Sequence, residues 1–233
     1  KHMDVDAIHQ GFLRGARRRG AKTLIDAEVT AVQKQGSTWR ITSRAGVFSA
    51  PWVINAAGAW CDELAGLAGI APVGLVPKRR TAILVDAPAS HAISRWPMAI
   101  SMQEDVYFKP DSGRLLASPA DETPMPPCDI QPDDLDIAIL VDRLQQVTTL
   151  EIKRIEHRWA GLRSFVPDHN LVIGEEPEYP GFFWLAGQGG YGIQTSPAAG
   201  RACASLIVSG ELPDDLLDWD ISAAALSPVR CRP

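Results

Sequence analysis

The sequence predicts an α/β domain interrupted by a mostly antiparallel, β-rich insertion. Three observations carry that reading. The stretch Trp184-Leu-Ala-Gly187-Gln-Gly189-Gly190-Tyr-Gly192-Ile-Gln194-Thr-Ser196-Pro197 runs from a buried-type strand through a glycine-dense turn into a helix, with Ser196 expected as N-cap and Pro197 at the first helical position. Trp52-Val-Ile-Asn55 is a continuous apolar run of the kind buried on both faces of a parallel sheet, and it also ends in small residues, Ala56-Ala-Gly58-Ala, before a helix. Between these two strand-to-helix units the chain is broken by prolines into short β-type runs, which predicts a separate sheet over about 71–157.

The elements follow in order. Asp4 to Arg19 is an amphipathic helix, with Ile8, Phe12 and Ala16 at four-residue steps and Gly20 as the stop. Arg17-Arg-Arg19 either complements the helix dipole or offers a patch to a partner. Lys1-His2-Met3 reads as the remnant of an expression tag, so the natural segment is expected to start near Asp4, inside a longer protein. Thr23–Ile25, Glu28–Gln33, Thr38–Ser43 and Gly46–Ser49 are expected strands of a meander, turning at Gly36-Ser37 and Ala45-Gly46. After Trp52–Asn55 comes a helix that ends before Gly69.

In the insertion, Arg80–Val85, Val106–Lys109 and Leu115–Ser118 are strands, the last two joined by the hairpin turn Asp111-Ser-Gly113. Pro132 with Asp133, Asp134 and Asp136 opens a helix carrying Ile137, Val141 and Leu144 on one face. Glu151–Trp159 is a strand leading back. The stretch Leu171-Val-Ile-Gly174 precedes the glycine-turn segment, whose helix closes at Gly210. Most of the seven tryptophans are expected in the core.

Composition bounds the function. The 233 residues are enough for a sizeable core, and the net charge of -5 argues against a nucleic-acid partner. No run approaches the roughly 20 apolar residues of a membrane span. Cysteines 61, 128, 203 and 231 form no C-x-x-C pair, which predicts free thiols in a reducing, cytoplasmic compartment. The histidines at 2, 9, 91, 157 and 169 have no metal-ligand spacing, so no metal site is expected. Without G-x-S-x-G, H-E-x-x-H or a Walker loop, most hydrolase, metalloenzyme and nucleotidase readings fall away.

Three separated motifs carry a likeness: Trp52-Val-Ile-Asn-Ala-Ala-Gly58-Ala-Trp60, Trp159-Ala-Gly-Leu-Arg163-Ser-Phe-Val-Pro-Asp168 and Gly181-Phe-Phe-Trp-Leu-Ala-Gly-Gln-Gly-Gly-Tyr-Gly-Ile-Gln-Thr195. With them, in this order, the chain resembles the D-amino-acid oxidase superfamily of FAD-dependent amine oxidoreductases. Its last two motifs look most like the bacterial D-arginine dehydrogenases. Pro77-Lys-Arg-Arg80 and Val106-Tyr107-Phe-Lys-Pro110 also fit. The resemblance implies a Rossmann-like FAD-binding domain formed by 4–70 and 158–233, with a substrate domain, 71–157, inserted. That family opens with a strand, a G-x-G-x-x-G turn and a helix around the flavin pyrophosphate. No such segment is read here, so the chain is expected to be the C-terminal part of the enzyme, inactive alone.

The same resemblance implies the site. Arg163, after a Gly-Leu turn, would grip the substrate α-carboxylate through its planar guanidinium; the alternative is a structural ion pair with Asp168. Tyr107 would hydrogen-bond that carboxylate, or be a half-buried aromatic on the sheet. Arg80 would lie beside it or near the flavin, or form a solvated basic strand end with Lys78 and Arg79. Backbone groups of Gly189, Gly190, Gly192, Ile193, Gln194 and Thr195 would face the flavin ring. Ala57 and Gly58 resemble further flavin contacts, as does Val29, which taken alone reads more simply as a core residue. The implied reaction is hydride removal from Cα of a D-amino acid, cationic D-arginine-like ones included, to an FAD whose electron acceptor is unknown. A glycine or sarcosine oxidase-like activity, and a non-catalytic module without flavin, are the alternatives.

Overall fold

A computed structural model describes residues 3–88 and 92–232. Lys1, His2 and His91, used above in the tag and metal-spacing arguments, lie outside the described residues. In chain order the elements begin with α1 (Val5–Arg18), β1 (Val29–Gln35), β2 (Thr38–Ser43), β3 (Gly46–Ala50), β4 (Val53–Asn55) and α2 (Cys61–Leu67). Next come β5 (Val76–Val85), β6 (Ala99–Ile100), β7 (Tyr107–Asp111), β8 (Arg114–Ser118), α3 (Asp134–Val147) and β9 (Ile155–Phe165). The chain finishes with β10 (Val172–Glu175), β11 (Phe182–Ala186), α4 (Gly192–Ser209), α5 (Asp214–Leu217) and α6 (Ala223–Leu226). It divides into two compact units, Lys1–Leu75 with Phe165–Pro233, and Val76–Ser164.

In the first unit, α1 starts where Asp4 accepts a hydrogen bond from the Ala7 N–H at 2.9 Å, satisfying one of the orphan donors of the first turn. None of its residues is buried, and Phe12 is exposed. Thr23–Ile25 is not a strand: it joins no sheet among the described residues, and Ile25 stands open to solvent. The meander β1-β2-β3 is antiparallel throughout, with its second turn at Arg44-Ala45. Trp39 on β2 is fully buried, and its indole N–H donates to the Pro180 carbonyl at 3.2 Å.

The second sheet of this unit has the order β10-β11-β4, with β11 and β4 parallel and β10 antiparallel. Phe182, Phe183 and Trp184 on its central strand are fully buried. The expectation for Trp52–Asn55 fails on one face: β4 is an edge strand, and Ile54 is 47% exposed. Pro197 is not at the first turn of its helix either. Helix α4 begins at Gly192 and takes Pro197 inside it. The proline removes a donor that would serve the Ile193 carbonyl, and the Ser196 hydroxyl donates to that oxygen instead, at 2.9 Å. The helix does stop at Gly210, whose φ of +77° and N–H to the Leu206 carbonyl close it. Among the tryptophans only Trp39 and Trp184 are fully buried; Trp60 and Trp219 are exposed.

The tail of the first unit is pinned by charge. Glu176, buried, accepts from the Trp184 indole N–H at 3.1 Å and is bidentate with Arg232 at 2.8 and 2.7 Å. Burial raises its pKa, but Arg232 and then Trp184 outweigh that, and the net shift is downward.

In the second unit, strands in the order β6-β7-β8-β5-β9 form one sheet. Ser112 and Gly113 both have positive φ, +50° and +81°, as a two-residue primed hairpin turn requires. Helix α3 starts at its N-cap Asp133, which accepts from the Leu135 N–H. It buries Ile137, Leu140 and Leu144 against Ile83, Val85, Leu115 and Ala117; Val141 is only partly buried. Each fully buried leucine contributes about 1.5–3 kcal/mol relative to exposure. The strand expected over Glu151–Trp159 starts later, at Ile155, and runs on through Arg163. Arg163 therefore sits on a strand and not after a turn, since Gly161 extends as readily as it bends.

Candidate functional site

The face of the five-stranded sheet away from α3 gathers the three expected anion-binding side chains. Phe108 and Ile83 both stand opposite Ala117, on the face that packs against α3. Alternation then turns Tyr107, which pairs with Ser118, to the other face, together with Arg80, Ala82 and Leu84 of β5. Arg163 from β9 shares a side-chain hydrogen bond with Tyr107. A guanidinium only donates, so the phenol oxygen accepts. Burial first, and then the like charge of Arg80, lower the Arg163 pKa, while Tyr107 and Glu122 pull it back up. It stays protonated at neutral pH.

The alternative roles named for these residues can be compared with their partners. Asp168 is bound by Arg230, at 2.7 and 3.3 Å, and Arg163 forms no ion pair with an acid within 4.0 Å among the described residues. Arg80 is not a solvated strand end: its side chain is 12% exposed and pairs with Glu122 at 2.9 Å. Lys78 meets the other oxygen of Glu122 at 3.0 Å. Arg79, pointing the opposite way, is held by Asp136 at 2.6 Å, Asp121 at 3.5 Å and Asp133 at 3.6 Å. Glu122 is the residue that motif reading missed. The signal was an acidic pair, Asp121-Glu122, facing a basic strand run, Lys78-Arg-Arg80, across the chain.

In the first unit, β4 and β11 run parallel with Asn55 opposite Trp184, so the turns after them leave the same edge of the sheet. One carries Ala57 and Gly58, the other Gly187 to Gly192. Open α/β sheets bind ligands at this edge. Asn55, buried, shapes the first turn by donating to the Cys61 carbonyl at 2.8 Å. Gly58 has φ +59°, and the space its missing Cβ would fill is open. Burial raises the Cys61 thiol to about 12, so it is inert. Val29 and Ala57 line one hollow of about 830 Å³ with Trp60, Leu64 and Leu67.

The glycine turn is packed tightly within the first unit. Its letters, Gly187-Gln-Gly189-Gly-Tyr-Gly192 between β11 and α4, form a G-x-G-x-x-G late in the chain, distinct from the opening strand–turn–helix that the family resemblance implies. Yet its glycines mostly approach the protein itself. Gly187 has φ +70°, and a Cβ there would lie 3.2 Å from the Asn170 carbonyl. At Gly189, φ +52°, a Cβ would lie 2.7 Å from the Phe165 ring; at Gly192 it would lie 2.9 Å from Gln188 Cβ. In a dinucleotide fingerprint the second glycine admits a pyrophosphate. Here Phe165 takes that place. Tight packing explains these three glycines without a ligand.

What remains open to a ligand is the helix start. No side chain caps α4, and Tyr191, Ile193 and Gln194 are exposed, with Gly190 beside them. Thr195 is committed inward, its N–H and hydroxyl both reaching the Tyr191 carbonyl at 3.1 and 2.9 Å.

The family described as FAD dependent oxidoreductase (DAO) matches residues 1–206. The chain belongs to that family. Among its relatives, glycine oxidase from Bacillus licheniformis is 27% identical over 226 residues, covering 93% of this chain and 57% of its own. Human mitochondrial sarcosine dehydrogenase is 25% identical over 235 residues, covering 94% of this chain and 25% of its own. The solved glycine oxidase from Geobacillus kaustophilus superposes with a TM-score of 0.74 at 26% identity, covering 88% of this chain and 52% of that one. The mixed α/β fold with antiparallel sheets is thus that of the glycine oxidase flavoenzymes. The chain spans little more than half the length of either glycine oxidase.

FAD is the cofactor of this family. The residues present fit a flat ring with amide-like edges: the uncapped helix start offers N–H donors, and the open Gly58 turn lets a ring approach the backbone. They do not fit a pyrophosphate at Gly189, where Phe165 stands. Among the described residues no helix is long and apolar enough to cross a membrane, and no group of three His, Cys, Asp or Glu could hold a metal.

Proposed function

We propose that this chain carries the substrate-carboxylate site and one flavin-facing edge of an FAD-dependent enzyme that oxidises the α-carbon–nitrogen bond of an amino acid. One observation carries the reading: Arg163, Tyr107 and Arg80, from three different strands, come together on the face of their sheet opposite α3. In that cluster Arg163 grips the α-carboxylate with parallel hydrogen bonds, Tyr107 donates its O–H to the same group, and Arg80 adds positive charge. Fixing the carboxylate orients the Cα–H, which is the entropic part of catalysis. When bound, FAD supplies the hydride acceptor at N5, and the imino acid product hydrolyses in water to a 2-oxo acid and ammonia. The N–H groups of Ile193 and Gln194 support negative charge on the reduced ring, worth about 0.3–1 kcal/mol when exposed and up to ~2 when partly buried. Ala57, Gly58 and Val29 contribute contacts to the same cofactor. No strong general base is needed if the amine arrives neutral.

The unit Lys1–Leu75 with Phe165–Pro233 is assigned to the cofactor and Val76–Ser164, which holds Arg163, to the substrate; the boundaries expected from the sequence, 4–70 with 158–233 and 71–157, stop short of Arg163. The wording Gln188-Gly-Gly-Tyr-Gly-Ile-Gln194 supports a D-amino acid as substrate, in the manner of D-arginine dehydrogenases. The glycine oxidase and sarcosine dehydrogenase relatives support a second reading, a small or N-methylated amine. Four free cysteines fit a reducing cytoplasmic compartment. The test is the visible spectrum after FAD addition, followed by turnover on D-arginine, glycine and sarcosine with an artificial electron acceptor, for wild type and Arg163→Ala. Flavin bands and turnover lost in the variant support the reading. A protein that stays colourless and inactive supports a non-catalytic module instead.

A further inference from the structure

The anion-binding face already contains one carboxylate of its own. We propose that Glu122 is a displaceable counter-ion that holds the cation cluster until a ligand carboxylate takes its place. This rests on the reading of that cluster as a carboxylate site. Glu122 bonds Arg80 with one oxygen at 2.9 Å and Lys78 with the other at 3.0 Å, and its charge is felt at Arg163. Two cations therefore bond one carboxylate at this spot, with a third, Arg163, close enough to feel its charge. Arg80 is only 12% exposed, so its charge is poorly hydrated and needs an anion at all times. Glu122 is 44% exposed, so turning its side chain out into water costs it little.

The backbone beneath it is firmly held, which separates motion of the side chain from motion of the loop. Asp121, next door, accepts from the Thr81 N–H at 2.6 Å and the Thr81 hydroxyl at 3.0 Å. The Arg79 N–H reaches the Thr123 carbonyl at 2.8 Å, and the Met125 N–H reaches the Pro77 carbonyl at 3.0 Å. Ala120 is held at φ +52°, a conformation a free loop would relax. A fixed backbone with a half-exposed carboxylate lets one χ rotation exchange the resident anion for another. A site built this way takes monocarboxylates with lowered affinity. It never leaves Arg80 bare.

The two possible roles of Glu122 differ in sign. As a counter-ion that competes, it weakens carboxylate binding, and removing its charge strengthens it. As a brace that merely positions Arg80, removing it weakens binding. The experiment is an NMR titration of the 233-residue chain with propionate, with ethylammonium as control, for wild type, Glu122→Gln and Arg163→Ala. The proposal expects Glu122→Gln to bind propionate roughly tenfold more tightly, the scale of one nearby like charge removed at a partly exposed site. Equal or weaker binding by Glu122→Gln, with binding lost in Arg163→Ala, overturns the counter-ion and leaves the carboxylate site standing. Failure of every form to bind, or wild-type binding by Arg163→Ala, overturns the site itself. A Glu122→Gln chain that no longer folds makes the carboxylate structural and also overturns the proposal.

Discussion

Three glycines at positive φ separate the cost of backbone strain from the cost of packing. Gly58 (φ +59°) has nothing within 4 Å of an added Cβ, whereas at Gly189 (φ +52°) that atom would lie 2.7 Å from the Phe165 ring. At Gly181 (φ +84°) it would overlap the Pro51 carbonyl oxygen, which cannot turn aside as a side chain can. Left-handed backbone costs a non-glycine residue about 1–2 kcal/mol. Overpacking adds about 1–3 kcal/mol where a neighbour must shift. Gly58→Ala should therefore cost about 1–2 kcal/mol, Gly189→Ala about 2–5 kcal/mol, and Gly181→Ala at least as much as Gly189→Ala. Urea denaturation of the three variants without added cofactor reads these differences, at unchanged slope if the transition stays two-state. Equal destabilisation by Gly58→Ala and Gly189→Ala would refute the claim that the glycine turn is shaped by Phe165.

Two further predictions concern charge. Glu176→Gln leaves Arg232 facing a neutral amide; loss of one partner of a buried pair costs about 3–5 kcal/mol, and the partial exposure of Arg232 puts the expected value near the lower end. Its check is thermal denaturation with Trp184 emission, and a change below 1 kcal/mol (about the scale of a surface pair) would contradict it. Asp168 is held at about 2, below its ordinary 3.8, chiefly by the hydrogen bond from Arg230. A depressed carboxylate stabilises the fold above its unfolded value, so this contribution is complete above pH 3.8 and is lost as pH falls through about 2. In Arg230→Met the Asp168 carboxyl should titrate near its ordinary value by NMR; an unchanged midpoint would remove Arg230 as the cause.

Local chemistry made much of the fold legible. Asp4 and Asp133 marked helix starts, Gly210 a helix stop, and Asp111-Ser-Gly113 a hairpin, because each rule concerns a few adjacent atoms. The failures arose where tertiary partners decide. Thr23–Ile25 has strand-forming residues but joins no sheet among the described residues. Trp52–Asn55 reads as doubly buried, yet β4 lies at a sheet edge. Pro197 reads as a helix start, and only the Ser196 bond to Ile193 explains its place inside α4. In the site, motif likeness picked out Arg80, Tyr107 and Arg163, which alternation then brings to one face. Glu122 left only the faint signal of an acidic pair opposite Lys78-Arg-Arg80, because its role depends on a loop returning beside β5. In the glycine turn, spacing alone could not separate close packing from ligand approach: three of its glycines meet Phe165, Asn170 and Gln188.

The central claim is that Arg163 binds the carboxylate of an amino-acid substrate. Truncating one partner of a hydrogen-bonded charge pair costs about 2–5 kcal/mol, or roughly 30- to 4,000-fold in kcat/KM. In protein supplied with FAD, Arg163→Ala should lose at least about thirtyfold in kcat/KM on amino acids, with Arg163→Lys recovering part of it, because a point charge replaces a fork. Near-wild-type kcat/KM in Arg163→Ala, on a substrate that wild type turns over, would contradict the account.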